Sequence, residues 1–134
     1  MDALALDDLE IFEERLLGTG YISRVRLGRV RSSGRAVAVK TIDSRRATRE
    51  ELLSIEREVR VQQALRHPHT LRLFCRLRQG PFIHLVLEHM PGGTLLEALR
   101  NGLEERQKLR IFGQLVSAVA ALHAMQTLHR DIKP

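Results

Sequence analysis

The run Ala36-Val37-Ala38-Val39-Lys40-Thr41-Ile42 constrains the fold of this chain more than any other stretch. It is apolar at nearly every position, which predicts a central β-strand covered on both faces. The flanking sequence supplies the rest of a sheet. Phe12 to Leu17 reads as a first strand running into Gly18-Thr19-Gly20. Val25, Leu27 and Arg29 alternate with Arg24, Arg26 and Gly28, the period of two that marks a second. Ser32-Ser33-Gly34-Arg35 has the composition of a turn, so the three strands form a meander. Leu71, Leu73, Cys75 and Leu77 alternate with Arg72, Phe74, Arg76 and Arg78, predicting a fourth, half-buried strand with a cationic outer face. Gln79-Gly80-Pro81 turns the chain into a fifth strand, Phe82 to Leu87.

Helical patterns interrupt and follow these strands. Thr48-Arg49-Glu50-Glu51 fits a capping box, and Leu52, Ile55 and Val59 then repeat as one apolar stripe. At 100° per residue Glu58 falls about 60° from Ile55 on one flank of that stripe, and Glu56 about 100° away on the other. Pro68 stands just beyond the helix end. After Pro91-Gly92-Gly93 come a short helix near Leu95 to Arg100 and a long one from about Glu104 to Met125. The long helix carries two apolar stripes, Leu109, Phe112, Val116 and Val119, and Ile111, Leu115, Ala118 and Leu122. Only Arg110, Gln114 and Ser117 make a polar face, so this helix is expected to need cover on most sides.

Composition narrows the function classes. The 134 residues are 43% hydrophobic and 28% charged, values of a globular chain, and no apolar run reaches the roughly 20 residues of a membrane span. The acidic start Met1-Asp2-Ala3-Leu4-Ala5-Leu6-Asp7-Asp8 lacks the basic flank of a signal peptide. Cys75 stands alone and can form no internal disulfide, so a reducing compartment, cytosol or nucleus, is the expectation. The net charge is +6, but the arginines are scattered from Arg15 to Arg130 and no aromatic residues interleave with them. That argues against nucleic acid as the primary partner. No grouping of His67, His84, His123 or Cys75 has zinc spacing.

Three motifs carry chemistry. Gly18-Thr19-Gly20 lies between two strands, so it is no Rossmann fingerprint, which must open a helix. A glycine pair on such a turn lets backbone N–H groups approach phosphate oxygens, although a plain hairpin has the same look. Val37-Ala38-Val39-Lys40 places a lysine inside an apolar strand, an uncommon setting for a merely solvated one. The third motif is His129-Arg130-Asp131-Ile132-Lys133-Pro134 after the long apolar helix. Together, in this order, they resemble the eukaryotic protein kinases of the Ser/Thr type, in a form similar to the Aurora-like and calmodulin-kinase-like branches.

The resemblance implies an α+β fold: a kinase small lobe, made of a five-stranded antiparallel sheet plus one helix, followed by the first helices of an incomplete large lobe. It divides the chain into an N-terminal extension (1–11), the small lobe with the Gly-rich loop and hinge (12–90), and the start of the large lobe (91–134). It implies ATP as cosubstrate, with Leu17, Gly18, Thr19, Gly20, Tyr21, Ile22, Ser23 and Val25 forming the loop over the phosphates and Ala38 lining the site. Lys40 would hold the α/β-phosphates and pair with Glu58, with Glu56 the competing carboxylate. Leu87 would be the gatekeeper, and the backbones of Glu88 and Met90 would bind adenine. Asp131 would be the catalytic base and Lys133 would touch the γ-phosphate, the partner being a protein with a Ser or Thr acceptor.

Two departures qualify that picture. The third loop glycine is Ser23, whose β-carbon is expected to weaken nucleotide binding where the loop needs permissive dihedrals. The Asn and D-F-G that hold Mg²⁺ in this family do not occur among these residues, so the expectation is a truncated domain with its Mg²⁺ ligands beyond Pro134 and no activity as an isolated fragment. An alternative of another class is a non-catalytic kinase product that binds a partner through the exposed 104–125 helix.

Overall fold

A computed structural model describes residues 4–133. Residues 1–3 and Pro134, the last position of the catalytic-loop motif, lie outside the described residues. The chain forms two compact units: residues up to Ala64 together with Leu71–His89, and Leu65–Thr70 together with the chain from Met90 onward.

The first unit is a five-stranded sheet with one helix. Its strands are β1 (Leu9–Thr19), β2 (Ser23–Val30), β3 (Ala36–Asp43), β4 (Leu73–Gln79) and β5 (Phe82–Glu88), in the spatial order β1-β2-β3-β5-β4. All neighbours run antiparallel. The apolar run that opened the sequence argument is β3, and it is central. Val37, Val39 and, on β5, Val86 have no exposed surface. The alternation of side chains sends Ala38, Ile42, Ile83, Leu85 and Leu87 to one face, where they meet Val59, Leu52 and Ile55 of helix α1 (Arg49–Ala64). The other face collects Leu9, Val30, Val37, Val39 and Val86, covered in part by Ile11, Phe74, Cys75 and Leu77. The capping box at the start of α1 is formed: Thr48 N–H donates to Glu51 Oε2 at 2.7 Å, and Glu51 N–H to Thr48 Oγ1 at 3.2 Å.

Two elements differ from the sequence reading. β1 begins at Leu9 and not at Phe12, so part of the supposed N-terminal extension belongs to the sheet. Leu9 sits opposite Val30 at the far end of β2 and is 5% exposed, which gives it an apolar site that a flanking tail would lack. The second difference lies in β4. Its alternation looks unbroken in sequence, yet the pairing shifts between Leu73, opposite Leu87, and Cys75, opposite Val86. A one-residue shift moves every later side chain to the other face. Leu73 therefore packs on the α1 side while Cys75 and Leu77 pack on the opposite one. Arg76 is turned toward α1 and pairs with Glu56 at 2.7 Å, instead of lying on a cationic outer face.

His84 is the one buried polar side chain among the described residues, 6% exposed in the middle of β5. Its Nδ1 lies 2.9 Å from Thr41 Oγ1, whereas Nε2 is buried without a protein partner. Burial pushes the imidazole below its ordinary pKa, because a charged ring here could not be solvated. The unfolded chain, titrating near about 6.5, thus binds the proton more readily than the folded one. Stability is expected to be complete above that value and to fall as the pH drops through it toward the lower folded pKa. Urea unfolding at about pH 7.5 and 5.5 should show this loss in the natural chain and a smaller one in His84→Leu.

The second unit holds α2 (Leu95–Arg100) and α3 (Glu105–Ala124), near the bounds that the helical periodicity predicts. Thr94 caps α2, donating its N–H to Glu97 Oε2 at 2.6 Å and accepting Glu97 N–H at 3.2 Å. The segment after α1 belongs to this unit, and His67 Nε2 meets Ser117 Oγ of α3 at 3.0 Å. On α3, Leu109, Phe112 and Val116 are 71%, 64% and 51% exposed, so one of its two apolar stripes is bare in this chain. No helix of the described residues is long and apolar enough to cross a membrane.

Candidate functional site

The Gly-rich segment is the hairpin between β1 and β2. Gly20 N–H donates to Ser23 O at 2.8 Å and closes a tight turn. A β-carbon on Gly20 would meet Ser23 Oγ at 2.9 Å, a contact that the serine hydroxyl would have to rotate to relieve. At Gly18, opposite Val25 in the β1–β2 ladder, a β-carbon would meet nothing within 4 Å. Ser23 opens β2 opposite Ile42 and is not among the residues with left-handed backbone. Its β-carbon is therefore accommodated in extended geometry, and the expected dihedral penalty does not arise. Tyr21, at the tip, is 78% exposed, with the Arg46 guanidinium 5.3 Å from its ring centroid. Asp43 N–H donates to Ile22 O at 3.0 Å. Both contacts tie the loop to the connection between β3 and α1.

Below the loop the sheet sets out the remaining residues by register. Val25 lies opposite Lys40, and Lys40 opposite Leu85. Ala38 lies opposite Leu87, each 8% exposed. Directly opposed residues share a face, so Val25, Ala38, Lys40 and Leu87 all stand on the α1 side. Leu17 is 48% exposed at the irregularity between Leu16 and Gly18. Glu88 ends β5, its backbone N–H donating to Arg72 O at 2.9 Å. Met90, in the second unit, is 64% exposed.

Lys40 is half-buried and, among the described residues, has no ion-pair or side-chain hydrogen-bond partner. The pairing with Glu58 implied by the resemblance is not present in the structure: Glu58 is exposed and has no ion-pair partner among the described residues. Glu56 faces β4, where the Arg76 guanidinium holds it at 2.7 Å, and Val59 fills the core. The packing of Leu52, Ile55 and Val59 on the sheet orients α1, and with that orientation Glu56 meets Arg76 while Glu58 is exposed. Arg76 is the residue that sequence reasoning missed, because the shift that turns it inward leaves no mark on the apolar alternation. Arg46 was missed as well, its contact with Tyr21 joining separate segments that share no pattern.

In the second unit the catalytic-loop motif is exposed. Arg130 adopts left-handed backbone at φ 65°, and Asp131 N–H donates to His129 Nδ1 at 3.2 Å. Lys133 Nζ donates to Asp131 Oδ2 at 3.0 Å, with both side chains 73% exposed. Solvent screens so exposed a pair, and it holds the two side chains together only weakly. Cys75 is no candidate nucleophile, since burial pushes its thiol pKa up and keeps it protonated.

The sequence model of the protein kinase domain matches residues 12–134 of this chain. The CBL-interacting serine/threonine-protein kinase 19 of Arabidopsis thaliana is 37% identical over 122 residues, covering 90% of this chain and 25% of that protein. CBL-interacting protein kinase 4 of Oryza sativa subsp. japonica is 42% identical over 126 residues, 90% of this chain and 28% of its own length. The hormonally up-regulated neu tumor-associated kinase of Homo sapiens is 37% identical over 123 residues, 89% and 17%. The chain belongs to the eukaryotic Ser/Thr protein kinase family. Its sheet and helices are those of the small lobe and the start of the large lobe, and it spans about a quarter of the plant relatives it matches.

Proposed function

We propose that this chain is the nucleotide-holding portion of an ATP-dependent protein serine/threonine kinase. The observation that carries the reading is Lys40: a half-buried cation without a protein partner among the described residues, in register with Val25 of the strand that leaves the glycine hairpin. A compact ammonium in such a place suits a phosphate anion. It fits the α/β-phosphates of ATP. Ala38 and Leu87 offer an apolar surface on the same face. Asp131 would accept the proton of the substrate hydroxyl, and Lys133 would move from Asp131 to the γ-phosphate.

Mg²⁺ at a nucleotide takes one or two carboxylates together with the phosphates, and the described residues offer no dedicated cage for it. Among the described residues no group of three or more His, Cys, Asp or Glu side chains could hold a metal ion. The 134-residue polypeptide is expected to bind nucleotide. Lys40→Met tests the phosphate assignment, because a thioether cannot pair with phosphate. In calorimetry with a non-hydrolysable ATP analogue, the variant should lose about 10- to 100-fold in affinity, the worth of a charge-assisted hydrogen bond. Unchanged affinity in a variant shown by circular dichroism to be folded would remove Lys40 from the site.

A further inference from the structure

The shift in β4 has a second effect besides turning Arg76 inward. It leaves Phe74 as the unpaired residue between Leu73 and Cys75, packed against the sheet face that α1 does not cover. Two arginines from separate segments converge on its ring. The Arg35 guanidinium, from the turn between β2 and β3, lies 5.7 Å from the ring centroid, and that of Arg72, just before β4, lies 5.3 Å away. Both residues are exposed. Neither guanidinium is in ion-pair contact with a carboxylate among the described residues, in contrast to Arg26, Arg29, Arg45 and Arg76, which all have one. The carboxylate bonded to this segment is Glu88, and it accepts the backbone N–H of Arg72 at 3.4 Å, not a guanidinium hydrogen.

We propose that Arg35, Phe74 and Arg72 form a docking site for an acidic protein segment, one carrying adjacent carboxylates. The chemistry follows from what the ring does and does not satisfy. Contact with the ring face holds each exposed cation weakly, and it uses none of the five N–H donors of each guanidinium. Carboxylates of a partner can meet those donors with charge-assisted hydrogen bonds. The ring also limits the rotamers of both side chains before any partner arrives, which lowers the ordering cost of binding. Phe74 provides the apolar body between the charges, so a segment with an apolar residue beside its acidic ones matches the site best. Lys40 and the glycine loop lie on another part of the first unit, and this site does not depend on the nucleotide reading.

The test is fluorescence anisotropy of the 134-residue chain with a labelled peptide bearing alternating Glu and Leu, and a Gln-for-Glu control. Binding to the acidic peptide, weakening with salt and absent for the control, is expected. Arg35→Gln/Arg72→Gln should lower affinity about tenfold or more. Arg45→Gln, which removes an arginine already paired with Asp43, should leave it unchanged. Phe74→Leu, which keeps an apolar side chain in the packed position, should weaken binding while circular dichroism stays the same. Charge reversal, Arg35→Glu/Arg72→Glu, should transfer preference to a Lys-bearing peptide. Equal losses in the Arg45→Gln and double variants would assign the binding to diffuse charge and overturn the proposal. So would the absence of binding to the acidic peptide.

Discussion

Val86→Asp is expected to leave the first unit unfolded. Val86 has no exposed surface and lies between Val39 on β3 and Cys75 on β4, at the centre of the sheet. The substitution forfeits about 1.5–3 kcal/mol of apolar burial. It also places a carboxylate where no cation can reach it, so the group must either be protonated or draw water into the core, at a further cost of several kcal/mol. The total is comparable with the roughly 5–15 kcal/mol that holds a domain together. Loss of the far-ultraviolet circular dichroism of the sheet, alongside retained signal in Val86→Ile, is the expected outcome. A cooperatively folded Val86→Asp chain would contradict the packing described for β3 and β5.

The second large effect concerns chemistry. In the full-length protein, Asp131→Asn is expected to lower phosphoryl transfer by about 10²- to 10⁴-fold, the usual contribution of a positioned base. The amide cannot accept the substrate proton as a carboxylate does. Nucleotide affinity should be nearly unchanged, since Asp131 belongs to the second unit and the phosphate contacts assigned to Lys40 belong to the first. Steady-state assays and calorimetry on one preparation separate these two quantities. A parallel fall in affinity would mean that the residue supports the fold and not the transfer step.

Much of this was legible in the residues because local chemistry and tertiary structure agree. Thr48 and Glu51 cap α1 as their spacing demands, and the unbroken apolar run of β3 could lie only at the centre of a covered sheet. The glycine hairpin, the strand lysine and the catalytic-loop motif each show in a few contiguous positions. What stayed hidden depends on contacts between distant segments. Leu9 joins β1 because Val30 offers it an apolar neighbour 21 positions along the chain, which no window of local pattern includes. The shift at Phe74 leaves the alternation of Leu71, Leu73, Cys75 and Leu77 intact on paper while reversing its meaning in space. Its consequence is the Arg76–Glu56 pair, a contact between β4 and α1 that the sequence pattern does not show. Counting 100° per residue placed Glu56 and Glu58 on opposite flanks of the stripe, and only the partner across the sheet distinguishes them. Ser23 shows the reverse case, where a departure from a motif implied strain that the extended backbone does not have.

The central claim is that this segment serves an ATP-dependent kinase of the serine/threonine type. Its most direct test is phosphoamino-acid analysis of a mixed Ser-, Thr- and Tyr-containing peptide pool after incubation of the full-length protein with labelled ATP and Mg²⁺. The account predicts label on phosphoserine and phosphothreonine, none on phosphotyrosine, and its loss in Asp131→Asn. Label confined to phosphotyrosine, or transfer that survives Asp131→Asn, would contradict it.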